Sequence, residues 1–110
     1  MAELPRLNGV IKALEAGQHA LTCFSPTDVE AAIALATAKY DAVVYEMEHN
    51  AYDIRAFRDC LQYMLNRAQI AKAGLVAPTV TPFARIPPNG GEKAQFQAKQ
   101  VLDLGAYGVI

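Results

Sequence analysis

Short apolar runs alternate strictly with amphipathic stretches along this chain, and few folds accommodate that pattern. The runs are His19 to Phe24, Ala42 to Glu46, Thr79 to Ile86 and Tyr107 to Ile110. Ala42-Val43-Val44-Tyr45 is the sharpest of them. Apolar at every position, it predicts a strand covered on both faces, as in a parallel sheet. Between the runs, apolar residues recur at helical spacing. Leu7, Val10, Ile11 and Leu14 form one stripe with Gly17 as its stop. Val29, Ala32, Ile33 and Ala36 form the next, after Ser25-Pro26-Thr27-Asp28. There Ser25 can cap, Pro26 suits the first helical position, and Asp28 favours the positive end of the helix dipole. Ile54, Phe57, Leu61, Met64, Leu65 and Ala68 continue a third helix that has Asp53 in its first turn, and Ile70 to Pro78 reads as a loop with one helical turn. Glu92 opens the last helix, with Ala94, Ala98, Val101 and Leu102 on its buried face, Phe96 off that face and Gly105 as its stop.

The expected order is a helix followed by β-α-β-α-β-α-β. Crossover helices between consecutive strands mean right-handed βαβ units and an α/β fold with about four parallel strands. Two closures fit, an open sheet or part of a (β/α)8 barrel. A chain that stops inside an apolar strand favours the barrel, because an open edge invites aggregation. A complete barrel needs roughly 250 residues. The 110 residues are therefore expected to be the N-terminal part of a single TIM-barrel domain, truncated after its fourth strand begins.

Composition narrows the function class. The chain is 53% hydrophobic and 19% charged with a net charge of -1, which predicts a packed globular protein. No basic cluster offers a field for nucleic acid. No apolar run approaches the ~20 residues of a membrane span, and the N-terminus has no signal-peptide core. Cys23 and Cys60 lack metal-ligand spacing and read as buried reduced thiols, which points to the cytoplasm.

The chemistry-bearing residues gather where the second strand ends. Glu46, Glu48 and His49 follow Tyr45 directly, and Arg85 lies near the end of the third strand. In barrels and open α/β sheets, chemistry collects at these ends. Two carboxylates and an imidazole there read either as an acid/base cluster or as a solvated strand end. His19 precedes its strand and reads as structural or exposed. Asn89-Gly90-Gly91 reads as a turn, because it lacks the Lys-Ser/Thr of a P-loop and the dinucleotide spacing. There is no Gly-x-Ser-x-Gly, no His-Glu-x-x-His and no cysteine pair for zinc. From the residues alone, an enzyme of unspecified type is the furthest reading.

Three segments together resemble the HpcH/HpaI aldolase and citrate lyase family. Tyr40 to His49 is similar to that family's strand ending in an acidic residue, x, Glu, His. Phe83-Ala84-Arg85-Ile86-Pro87 is similar to its Val-Arg-Val-Pro strand. Lys99 to Val109 is similar to its Lys-x-Val-Leu-Asp-x-Gly-Ala-x-Gly-Val segment.

The resemblance implies a (β/α)8 barrel and a metal-dependent class II aldolase. Such an enzyme cleaves a 4-hydroxy-2-oxo acid to pyruvate and an aldehyde, so the implied partner is a small 2-oxo acid. His49 matches the histidine that acts as base through a metal-bound water, and an imidazole suits that transfer. Arg85 matches the arginine that grips the keto-acid oxygens and stabilises the enolate. Asp103 matches the aspartate that raises the histidine's basicity. Asp103 lies near the C-terminal end of a helix, so the carboxylate would come from a neighbouring subunit of a homo-oligomer. Glu48 keeps the family's Glu, and Glu46 stands where the family often has Asp, in a supporting role. The resemblance implies Mg2+, Mn2+ or Co2+, held by a Glu and an Asp on later strands. No metal ligand is expected on this chain: Glu46, Glu48 and His49 could in principle bind a metal weakly, but adjacent strand positions alternate faces. The alternatives are an acyl lyase of the citrate lyase β type and a non-catalytic half-barrel that acts only by assembly.

Overall fold

A computed structural model describes residues 4–88, 90–91 and 93–110. Asn89 of the expected turn and Glu92, expected to open the last helix, lie outside the described residues. The elements are α1 (Gly9–Glu15), β1 (Thr22–Ser25), α2 (Val29–Leu35), β2 (Ala42–Glu46), α3 (Ile54–Met64), α4 (Arg67–Ala73), β3 (Thr81–Arg85) and α5 (Gln95–Leu104).

Short polar side chains start four of the five helices. Asn8, Asp28, Asp53 and Asn66 each accept a hydrogen bond from a first-turn N–H, which satisfies donors that have no partner inside the helix. Two expectations fail on this point. Ser25 is not a cap; it closes β1, and Asp28 takes the cap three residues later. The third helix does not run to Ala68. Leu65 turns extended, Asn66 caps a new helix, and Gly74 at φ 72° ends it. A cap as good as Asn66 makes two helices cheaper than one bent one.

The sheet is parallel throughout, with strand order β1-β2-β3. Thr22 to Ser25 align with Ala42 to Tyr45, and Ala42 to Glu46 align with Thr81 to Arg85. The expected fourth strand is present only as a parallel bridge between Ala84 and Val109. It is held by Ala84 N to Gly108 O, Ile110 N to Ala84 O and Ile86 N to Ile110 O. Pro82 explains where this pairing begins. In β3 alternate N–H groups point to opposite neighbours, and Pro82 falls on the parity that faces Gly108–Ile110. Its missing donor leaves the β2–β3 ladder intact and delays the next one to Ala84.

The two faces of the sheet differ. Val43, Tyr45 and Ala84 point to one side and join Ala32, Ala36, Phe57, Cys60, Met64 and Val101 in the core. α2 packs on α3, and α3 packs on α5, so these helices share that side. A doubly wound sheet would reverse strand order and cover both faces. Sequential order with helices on one side is the wall of a barrel. The opposite face carries Phe24, Val44 and Phe83 in one register row and Glu46 and Arg85 in the next. Gly108 keeps this row compact, because a Cβ there would stand 2.7 Å from the Phe83 ring. Ile33, Leu102 and Leu14, expected in the core, are at least half exposed; Leu35 and Leu104 pack against it instead.

α1 closes the end of the sheet where the strands start. Gly9 N donates to Thr81 Oγ1 at 2.8 Å, and Asn8 Nδ2 donates to Tyr107 O at 3.2 Å. The approach requires glycine: a Cβ on Gly9 would lie 3.0 Å from both Asp41 O and Thr81 Oγ1.

Cys23 and Cys60 are free, and burial pushes both thiols up, Cys60 to about 11. Beside them the Tyr45 hydroxyl is fully buried with no hydrogen-bond partner among the described residues. An unpaired buried hydroxyl is a net cost. Tyr45→Phe should therefore raise stability by about 1 kcal/mol, read as a higher denaturant midpoint at unchanged slope. A lower midpoint would mean that the hydroxyl has a partner. Among the described residues, no helix is long and apolar enough to cross a membrane.

Candidate functional site

β2 ends at Glu46, and the backbone bends over Glu48 to Asn50. The cause lies in the Glu46 side chain. Its Oε1 accepts the backbone N–H of Glu48 at 2.7 Å and of His49 at 3.0 Å, folding the chain back over the strand end. Met47, buried beneath the bend, donates its N–H to Arg85 O at 2.8 Å. The alternation expected to separate the adjacent Glu48 and His49 holds only within a strand, and the strand is already over.

Arg85 stands directly across from Glu46 in the β2–β3 register. Its Nη1 donates to Glu46 Oε2 at 2.9 Å, and its Nη2 pairs with Glu48 Oε2. His49 Nδ1 lies 3.7 Å from the same Glu46 oxygen and 3.9 Å from the same Glu48 oxygen. One guanidinium and one imidazole thus converge on two carboxylates at the C-terminal end of the sheet. Glu46 is the sheltered member with its side chain 14% exposed, whereas His49 is 69% exposed. Beneath the guanidinium lies the Phe24 ring, 5.7 Å from Arg85 Cζ to its centroid, a cation–π distance. Sequence reasoning missed Phe24. Its signal was position: it lies near the C-terminal end of β1, on the same face as Arg85.

Asp103 is not brought to this cluster. It sits exposed near the end of α5, paired with Lys99 Nζ at 2.6 Å. Directly after α5, Tyr107 N bonds Pro82 O, near the start of β3, whereas Arg85 closes the strand's other end. His19 is exposed in the loop before β1, apart from the site elements.

Burial pushes the Glu46 carboxyl up, but the N–H groups of His49 and Glu48 and the charge of Arg85 outweigh it, leaving it below the ordinary value of 4.5. A carboxyl lowered by folding stabilises the fold above its unfolded pKa and loses that contribution as pH falls through the folded value. The stability advantage of the natural chain over Glu46→Gln should therefore be full near neutrality. It should shrink below about pH 4.5. Denaturant midpoints of both chains from pH 7 to about pH 3 would check this; a constant gap would refute it.

Glu46, Glu48 and His49 place one ligand atom each within 4.8 Å of one another. Two carboxylates and an imidazole suit Mg2+, Mn2+ or Co2+ in donor type. The fit fails on charge, because the carboxylate oxygens facing His49 are those already held by Arg85. With Arg85 in place, the cluster has its cation.

No family model and no curated protein matches the chain. Solved structures do. An HpcH/HpaI aldolase/citrate lyase family protein from Burkholderia cenocepacia is 28% identical with a TM-score of 0.64 over 93% of this chain and 35% of its own. An HpcH/HpaI aldolase from Desulfitobacterium hafniense is 24% identical with a TM-score of 0.58, covering 91% and 34%. A variant of the citrate synthase SbnG is 20% identical with a TM-score of 0.60, covering 91% and 36%. The last two likenesses speak for the fold alone. The chain spans about a third of the length of each of these structures. In its motif segments and in its fold, the chain resembles the N-terminal part of HpcH/HpaI aldolase/citrate lyase family proteins.

Proposed function

We propose that the chain provides the Arg85–His49 side of a carbon–carbon lyase site that cleaves a 4-hydroxy-2-oxo acid to pyruvate and an aldehyde. The observation that carries this reading is the convergence of Arg85 and His49 on one carboxylate pair at the C-terminal end of a barrel-like wall. A guanidinium with a fixed charge binds a carboxylate and an adjacent keto oxygen in the fork geometry that suits it. His49 takes the proton of the C4 hydroxyl. The C3–C4 bond breaks, the aldehyde leaves, and the electron pair forms the enolate of pyruvate. Arg85 stabilises the charge growing on the enolate oxygen, and protonation at C3 gives pyruvate. Asp103 serves, in this reading, a neighbouring copy in a homo-oligomer.

The 110 residues alone are expected to be inactive, so the test is pyruvate release from 4-hydroxy-2-oxo acids by the complete barrel that carries this segment, with added Mg2+, Mn2+ or Co2+, read with lactate dehydrogenase and NADH. His49→Ala should lower the rate by about 100- to 10,000-fold with an unchanged thermal midpoint. No pyruvate with any metal, or a His49→Ala chain as fast as the natural one, would sink the reading. Release that requires coenzyme A would point instead to an acyl lyase.

A further inference from the structure

We propose that Glu46 is a positioning residue that sets the His49 turn and the Arg85 guanidinium against each other, with one carboxylate oxygen for each. Oε1 accepts both N–H groups of the turn that carries His49. Oε2 accepts from Arg85 Nη1. The two groups come from different segments, the turn after β2 and the end of β3, and Glu46 joins them from the more sheltered side of the cluster. Nothing else among the described hydrogen bonds ties the His49 backbone to the Arg85 side chain. Glu48 meets Arg85 only at its own side chain. An aspartate, one methylene shorter, can keep at most one of the two contacts.

This role separates binding from turnover. The Glu46 charge competes with any anion for Arg85, so its removal frees the guanidinium for a ligand carboxylate. The same removal loosens the alignment of Arg85 with His49, and misplacement by an ångström is enough to cost catalysis. Glu46→Gln is the selective variant. Its amide oxygen can still accept the two turn N–H groups, while its NH2 cannot accept from Arg85.

The kinetic prediction rests on the function proposed above; the positional one does not. In the complete barrel, Glu46→Gln should leave KM for the 2-oxo acid equal or lower and reduce kcat by about 10- to 100-fold. Glu46→Asp should recover part of kcat. In NMR spectra, Glu46→Gln should shift the Arg85 side-chain Nε–H signal while the Glu48 and His49 amides keep their positions. Natural kcat in Glu46→Gln would overturn the proposal, as would an unmoved Arg85 signal. So would a rise in KM in step with a lower thermal midpoint, the mark of a merely structural residue. If the complete natural barrel releases no pyruvate, the functional reading fails alone, and the Arg85 signal still decides the role of Glu46.

Discussion

Arg85→Ala is expected to lower pyruvate release by about 100- to 1000-fold, the size of effect seen when a fixed donor to a developing oxyanion is removed. The loss should fall on kcat and KM together, because the guanidinium serves both ligand binding and enolate stabilisation. Its structural consequence is separable. Without Arg85, the Glu46 and Glu48 carboxylates face each other with His49 beside them, and the Phe24 ring loses its cation. The site is partly open, with Arg85 29% exposed, so water can hydrate the freed carboxylates. The stability penalty should stay near 1–2 kcal/mol, below the 3–5 kcal/mol of breaking a fully buried pair. Arg85→Lys should retain charge but lose the fork, and recover little activity. Kinetics and thermal midpoints on the three chains would check this. Activity retained in Arg85→Ala would remove the central residue of the proposed function.

Phe57→Ala should have the largest effect on folding. Phe57 is fully buried on α3, edge-on to Tyr45 with ring centroids 5.6 Å apart and planes at 68°. It lies in the core shared by α2, α3 and the sheet. Removing such a ring costs about 3–5 kcal/mol, against a total stability of about 5–15 kcal/mol for a domain. At roughly 4–8 °C per kcal/mol for a domain of 60–100 residues, the melting temperature should fall by at least about 12 °C. Phe57→Leu, which keeps most of the volume, should cost under about 1.5 kcal/mol. Circular dichroism melts of both chains would check this. A loss below about 1 kcal/mol in Phe57→Ala would mean that the core lies elsewhere.

The strand runs were legible because apolar side chains on consecutive residues leave few alternatives. Ala42–Glu46 was read to the residue, and the parallel α/β sheet followed from the crossover helices. The resemblance segments correctly located the family fold. What failed was local competition. Ser25 and Asp28 are both good caps, and only the length of β1 decides between them. Leu65 continues the helical stripe of α3, yet Asn66 stops the helix by offering a better start to α4. At the site, Glu46 and Arg85 could be placed at strand ends from sequence alone. The convergence of Glu48 and His49 on them could not, because it depends on a side chain turning back to its own backbone. Phe24 was hidden for a different reason. Its role arises from register across three strands, which no local pattern encodes.

The stitch made by Asn8 and Gly9 has a consequence for how the chain acquires its shape. Gly9 waits for Thr81, and Asn8 waits for Tyr107, 99 residues away. During synthesis α1 emerges before the residues it docks on. Until then Ala13, buried in the finished fold, has no sheet end to rest on. Contacts this distant in sequence form late, because loop closure must precede them. Of the described helices, the earliest in the chain is therefore the last to dock, and its arrival marks completion of the β1–β3 wall. In refolding followed by pulsed amide exchange, the Gly9 N–H should become protected after the amides of β2.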